Sequence, residues 1–110
     1  MLGRHKQAIE LFDECLELDP KDWEIFFYKG LSARYLRQFE DAIHNFKTAN
    51  DLHPNENTFL ELGKVYQLVL NYQKALEVYA EGLSTYPENS DLLTTIGLLY
   101  IRLGQNNQAF

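Results

Sequence analysis

The side chains best suited to metal binding in this chain are three histidines, His5, His44 and His53. None belongs to an HExxH or CxxC pattern, in which the spacing places two ligands on one side of a metal ion. His44 and His53 are nine residues apart on one helical segment, which puts them on different faces. We therefore interpret the histidines as solvated surface residues and predict no metal site.

Acid–base catalysis and phosphate binding are the other chemistries to consider. The acidic pairs Glu14/Glu17 and Glu77/Glu81 are three or four residues apart on polar helical faces, which is typical of solvated charge. The glycines are widely spaced and form no phosphate-binding loop. The sequence predicts neither an enzyme nor a cofactor.

Length and composition narrow the classes of protein to which the chain could belong. The 110 residues correspond to one small domain, 45% hydrophobic and 24% charged. The formal net charge of −6 disfavours nucleic acid as a partner. No apolar segment approaches the roughly 20 residues that span a bilayer, and "MLGRHKQAIE" lacks the apolar region of a secretory signal. The lone cysteine fits a reducing compartment, so we expect a cytoplasmic location.

Three residue types recur every 33 or 34 residues, which indicates stacked supersecondary units. They are Pro20, Pro54 and Pro87, then Gly30, Gly63 and Gly97, and finally Ala8, Ala42, Ala75 and Ala109. Within each unit, apolar residues at spacings of three and four indicate two amphipathic helices. The predicted helices lie near 5–18, 23–36, 39–52, 56–69, 72–85 and 90–103.

The period also assigns roles to single residues. Gly63 and Ala75 should lie where paired helices cross, because small side chains allow close approach. Asp22 and Ser90 are the predicted N-caps. Cys15 shares its phase with two small residues of later repeats, Ala49 and Gly82, so we expect a buried, inert thiol. Gly104 should form a turn, and Ala109 should begin a further helix.

The third unit contains an aromatic, Leu-Gly, Tyr, Ala-x3-aromatic and Pro in order: Phe59, Leu62, Gly63, Tyr66, Ala75, Tyr79 and Pro87. This order resembles the tetratricopeptide repeat signature, from which the second unit departs at Lys29 and Ala33. The resemblance implies an all-α, right-handed superhelix of antiparallel helix pairs, truncated at both ends. The units would be a partial repeat over 1–22 (second helix only), repeats over 23–55 and 56–89, and a partial repeat over 90–110 (first helix plus the start of the second).

In tetratricopeptide proteins the first helix of each repeat lines a concave groove. The resemblance places twelve residues there: Phe27, Leu31, Arg34, Tyr35, Leu60, Lys64, Gln67, Leu68, Thr94, Leu98, Ile101 and Arg102. Such a groove, apolar with three cations, suits a peptide or helix that has apolar anchors and negative charge. Equally, several of these residues could simply contact neighbouring helices of a longer superhelix. The carboxylate clamp of tetratricopeptide co-chaperones is excluded, because only Lys64 has a suitable charge at the clamp positions.

Five segments resemble more particularly the family of tetratricopeptide subunit four of the Bardet–Biedl complex, the BBSome. They are "KDWEI" (21–25), "LRQFEDA" (36–42), "LGK" (62–64), "ALEVY" (75–79) and "PENSDLLTTIGLLYIRLG" (87–104). This resemblance implies a segment of a longer, coat-like adaptor subunit that carries membrane proteins to and from cilia. It also implies other BBSome subunits and pericentriolar proteins as partners, near the cilium, the basal body or centriolar satellites.

Two other functions stay open from the sequence. The chain could be a generic peptide-binding module of another multiprotein complex, or a regulatory segment of a larger enzyme. In every case we expect the isolated chain to be marginally stable or to self-associate, because both ends present helix faces without partners.

Overall fold

Over residues 2–108 the chain forms an array of six α-helices. A computed structural model describes the backbone of residues 2–108 and the side chains of residues 4–104. The helices are α1 (Leu2–Leu18), α2 (Trp23–Tyr35), α3 (Phe39–Leu52), α4 (Glu56–Leu68), α5 (Tyr72–Thr85) and α6 (Ser90–Gln108). The prediction of an all-α fold is confirmed, and the first five helices end within three residues of the predicted positions.

Each helix packs against the next one along the chain, which gives an elongated array of 50 × 30 × 17 Å. Only three residues connect α2 to α3 and α4 to α5, so these pairs are antiparallel neighbours. Within residues 2–108, no helix combines the length and the apolar character needed to cross a membrane.

The paired helices approach each other most closely at a glycine. A Cβ atom placed on Gly63 of α4 would lie 2.2 Å from Cε1 of Tyr79 on α5, and one on Gly30 would lie 2.6 Å from Cε1 of Phe46. Both rings are completely buried, as is Ala75. The prediction that Gly63 lies at a helix crossing is therefore confirmed, and Ala75 of the partner helix α5 is buried.

Side chains cap the N-termini of α2, α4, α5 and α6, and one of the two predicted caps is wrong. Asp22 caps α2 as predicted, since its carboxylate accepts a hydrogen bond from the backbone N–H of Glu24 (3.1 Å). For α6 the cap is Asn89, whose side-chain oxygen accepts from the N–H of Leu92 (2.8 Å). Ser90 is instead the first helical residue. The preceding turn places Asn89 at the cap position, because its N–H donates to the carbonyl of Tyr86 (3.1 Å).

The turns inside the two complete helix pairs use a left-handed residue that is not glycine. Arg37 has φ 63° and Leu70 has φ 64°. After Leu70, the N–H of Asn71 donates back to the carbonyl of Tyr66 (2.9 Å), which closes the end of α4. A left-handed conformation costs a residue with a Cβ atom about 1–2 kcal/mol. Packing of the following helix must offset that cost.

The predicted turn at Gly104 is wrong, because α6 continues through it to Gln108. Gly104 shares the repeat phase of Arg37 and Leu70. A glycine within a helix costs only about 1 kcal/mol relative to alanine, so it does not end the helix by itself. Turns form at the equivalent positions because a second helix packs back there. Ala109 lies outside the described residues.

Cys15 differs from expectation in its exposure. Cys15 is exposed, whereas the sequence predicted a buried thiol. Its counterpart Gly82 is enclosed by Phe59 of α4 and Leu92 of α6, so α5 is covered on both sides. Helix α1 packs against α2, which leaves the Cys15 side of α1 uncovered. Trp23, the one tryptophan, stacks at the start of α2 on His53 (ring centroids 4.7 Å apart).

Replacing Gly63 by leucine should destabilise the fold by roughly 2–4 kcal/mol, because the new side chain collides with the buried ring of Tyr79. Gly97 provides a matched control on α6, since nothing lies within 4 Å of its Cβ position. We expect Gly97→Leu to leave stability unchanged or slightly raised, through better helix propensity. Thermal unfolding in dilute solution measures both variants, and equal melting temperatures would contradict the assigned crossing.

Replacing Leu70 by glycine should stabilise the fold by about 1 kcal/mol. Glycine removes the left-handed strain, and part of that gain is lost to the greater freedom of the unfolded chain. Leu70→Ala is the control, because it truncates the exposed side chain but keeps the Cβ atom that causes the strain. Urea unfolding that shows the same gain for both variants would assign the effect to the lost leucine surface instead.

Candidate protein-binding groove

Five of the residues predicted to line a groove lie around one cavity of about 390 Å³: Arg34, Lys64, Gln67, Leu68 and Arg102. They come from α2, α4 and α6, so these three helices share one face of the array. A second cavity of about 280 Å³ adjoins it on the side of α6, and its lining includes Thr95, Leu98 and Leu99. We call this surface the groove.

Three predicted groove residues contact neighbouring helices instead. Leu60 is only 8% exposed and belongs to the hydrophobic core, so its assignment to an accessible surface is wrong. Phe27 and Leu31 are partly buried against the same core, with the Phe27 ring 5.6 Å from that of Phe46. These residues lie between stacked helices, where the side chains of adjacent repeats meet.

The other apolar groove residues are accessible. Tyr35, Leu68, Leu98 and Ile101 are 54–62% exposed, and Thr94 is exposed too. Of these five predicted residues, Leu68 and Leu98 line the two cavities. Large apolar side chains that remain in water next to charged ones are typical of a surface that another protein covers.

Glu61 adds a carboxylate that the sequence reasoning missed. The Arg34 guanidinium donates a hydrogen bond to it, and Nζ of Lys64 lies 3.6 Å from its second oxygen. The signal was present in "LELGK", because a glutamate three residues before a lysine is a common helical ion pair. Glu61 partly neutralises Arg34, while Lys64 remains half exposed and Arg102 exposed. The groove is therefore most positive towards α6.

The groove is connected to the helix crossing through Gln67. Its side-chain amide donates to the hydroxyl of Tyr79 (2.6 Å), whose ring lies against Gly63. Burial raises the pKa of the Tyr79 hydroxyl, and the nearby charge of Glu61 raises it further. The hydrogen bond from Gln67 opposes these effects by favouring the phenolate. Tyr79 thus packs on Gly63 at the helix crossing and also binds Gln67, which lines the groove.

The histidines are not all solvated surface residues. His5 is half-buried, stacked on Tyr35 with ring centroids 4.0 Å apart, and its Nδ1 lies 3.3 Å from the Ser32 hydroxyl. It therefore supports the Tyr35 edge of the groove from α1, a contact between helices that spacing within one helix does not reveal. His44 is exposed, as predicted. The described part of the chain contains no cluster of three or more potential metal ligands.

Comparison with known proteins supports the same fold. The sequence model of the tetratricopeptide repeat matches residues 2–22. The crystal structure of TTC0263, a thermophilic tetratricopeptide protein of Thermus thermophilus, superposes with a TM-score of 0.84 and 21% identity. The superposition covers 90% of this chain and 51% of that one. The chain thus has the fold of a tetratricopeptide repeat array.

The resemblance to the BBSome subunit is also confirmed. The chain is 42% identical over all of its 110 residues to BBSome complex member BBS4 of Bos taurus. It is 41% identical over 102 residues to the protein of that name from Mus musculus. It covers 21% and 20% of those two proteins, so it spans about a fifth of their length.

A weaker match connects the chain to an enzyme. Protein O-mannosyl-transferase TMTC1 of Homo sapiens is 26% identical over 100 residues, which cover 86% of this chain and 11% of that protein. The chain is thus also similar to a short part of a larger protein that carries an enzyme's name.

Stability should fall as the pH rises above 10, because the folded state keeps the Tyr79 proton that the unfolded state releases. At pH values between the pKa of Tyr79 in the unfolded state and its raised pKa in the folded state, this residue alone lowers the free energy of unfolding by about 1.4 kcal/mol for each pH unit. Tyr79→Phe should lose the Gln67 hydrogen bond but show a shallower alkaline decline. Urea unfolding from pH 8 to 11 measures both proteins, and parallel declines would contradict the role of Tyr79.

Proposed function

Because the chain has the fold of a tetratricopeptide repeat array and an accessible groove, we propose that it is a non-enzymatic protein-interaction segment of a BBSome-type complex. The observation that carries this proposal is the 42% identity to BBSome complex member BBS4 over the whole chain. The groove supplies the contact surface, since helices from successive repeats bring cations and exposed apolar side chains to one face.

The chemistry of the groove favours a partner with apolar anchors and negative charge. Leu68 and Leu98 offer apolar contact area, and Lys64 and Arg102 lie beside them. The positive groove attracts an acidic segment, whereas the remaining surface of this acidic chain repels it. We infer that the groove holds an extended or helical segment of another subunit.

The cellular part of the proposal rests on the similarity to BBS4. We infer that the chain acts with other BBSome subunits and with pericentriolar proteins, at the cilium, the basal body or centriolar satellites. Its role there would be the transport of membrane proteins to cilia and the assembly of the cilium. These sites are reached from the cytoplasm. The cytoplasm is a reducing compartment, which fits a chain that has a single cysteine.

The match to TMTC1 favours a second candidate function, that of a regulatory repeat segment within a larger enzyme. Sequencing the complete transcript decides between the two. A catalytic domain in the same reading frame would support the second candidate, and further repeats on both sides would support the first.

Charge reversal in the groove tests the binding proposal. The double variant Lys64→Glu/Arg102→Glu should reduce recovery of the BBSome subunits from a ciliated cell lysate by about tenfold or more, which corresponds to at least 1.4 kcal/mol. Lys74→Glu on α5 is the matched control, because Lys74 is exposed and pairs with Glu77 (3.6 Å) away from the groove.

Circular dichroism should show equal helix content for all of these proteins. Equal recovery by the groove variant and the control would exclude the groove as the contact surface. Failure of the unsubstituted chain to recover any BBSome subunit would overturn the proposed function.

A further inference from the structure

The larger cavity of the groove, of about 390 Å³, is surrounded by basic side chains from three helices. They are Arg34 of α2, Lys64 of α4 and Arg102 of α6. Lys64 and Arg102 also line the adjoining cavity of about 280 Å³. Among the described residues no carboxylate lines either cavity, although 16 of the 110 residues are Asp or Glu. In a chain of net charge −6, a cavity with this lining indicates a site for an anion.

Glu61 sets the net charge of this site from beside the cavity. Its carboxylate accepts a hydrogen bond from Arg34 and lies 3.6 Å from Nζ of Lys64. The three cations and this one carboxylate leave two net positive charges. A phosphate monoester carries about −1.5 to −2 charges at pH 7, whereas a carboxylate carries a single negative charge. The charge of the site therefore matches one phosphate group better than one carboxylate.

The hydrogen-bond donors at the site also fit a phosphate group. Guanidinium and ammonium groups only donate, and the Gln67 amide has a second N–H besides the one that donates to the Tyr79 hydroxyl (2.6 Å). These donors come from α2, α4 and α6, so the oxygens of one phosphate can accept from different helices at once. Two carboxylates could supply the same charge, but they repel each other when they share one cavity.

We propose that this cavity binds a phosphorylated serine or threonine of the segment that occupies the groove. Leu98, which lines the adjoining cavity and is 62% exposed, would contact an apolar residue next to the phosphorylated one. The occupant is a protein segment rather than a membrane, because the cavity lies between helices and a flat bilayer surface does not enter that space. This proposal rests on the proposed function, since it specifies the chemistry of the segment that the same groove holds.

Binding of short peptides tests the chemistry of the site. The probe is acetyl-phosphoserine-leucine amide, compared with the same dipeptide that has glutamate in place of phosphoserine. The phosphorylated probe should bind about tenfold more tightly, because it has more charge and more acceptor oxygens. Two-dimensional NMR measures the affinity, and the side-chain amide signal of Gln67 should shift on binding. Equal affinity for the two peptides, or shifts confined to other surfaces, would overturn the proposal.

Vesicles test the other source of a phosphate group. The protein should not co-sediment with phosphatidylcholine vesicles that contain phosphatidylinositol phosphate, because the cavity takes the side chain of a protein segment. Co-sedimentation with these vesicles but not with phosphatidylcholine alone, together with no binding of the phosphorylated peptide, would assign the cavity to a lipid headgroup and overturn the proposal.

Two substitutions with opposite effects test the charge balance. Arg102→Gln should weaken binding of the phosphorylated peptide about tenfold, because it removes one of the three cations. Glu61→Gln should strengthen binding about threefold, because it removes the carboxylate that competes for Arg34, and a misfolded variant would not gain affinity. Lys74→Gln on α5 is the matched control, since Lys74 pairs with Glu77 away from the groove. No gain in Glu61→Gln, or equal affinity of Arg102→Gln and the control, would contradict the site.

Phosphatase treatment separates this proposal from the proposed function. Treating the ciliated cell lysate with phosphatase should reduce recovery of BBSome subunits by the unsubstituted chain about tenfold. Equal recovery from treated and untreated lysate would overturn the phosphate site and leave the proposed function intact. Recovery of no BBSome subunit from either lysate would overturn the proposed function, and the peptide titration would then decide the phosphate site alone.

Discussion

The close approach of two helices at a glycine is the constraint on which the rest of the array depends. At Gly63 no side chain larger than hydrogen fits, because the Tyr79 ring occupies that space, and Gly30 has the same relation to Phe46. The short distance brings α4 against α5, and the repetition of this pairing along the chain gives α2, α4 and α6 a common face. The groove therefore follows from two buried aromatic rings that do not line it.

The sequence predicted the elements well and their surfaces less well. Glycine, alanine and proline recur in one phase, and each has a local steric effect, so the helices and the crossing at Gly63 could be placed. Exposure depends on which helices are adjacent, and the repeat phase of a residue does not by itself identify those neighbours. For this reason Leu60 proved to be buried and Cys15 exposed. The turn expected at Gly104 required a packing partner that the residue itself does not supply.

The groove illustrates the same difference between residue type and arrangement. Its three cations were identifiable from the repeat positions, and the structure brings them around one cavity. The carboxylate of Glu61 changes their balance, because it binds Arg34 and lies near Lys64. The charge accessible to a partner is thus concentrated towards α6, although Arg34 has the same formal charge as Arg102. Net charge, which is −6 for the whole chain, describes neither the sign nor the place of this local field.

The stacking of Trp23 on His53 gives the molecule a built-in optical probe. Trp23 is the one tryptophan of the chain, so its fluorescence comes entirely from the edge where α2 begins and α3 ends. An indole emission spectrum therefore describes the pair of α2 and α3, whereas circular dichroism averages over the six described helices. In an array where each helix contacts mainly its neighbours, these two signals distinguish the fraying of one pair from the unfolding of the whole.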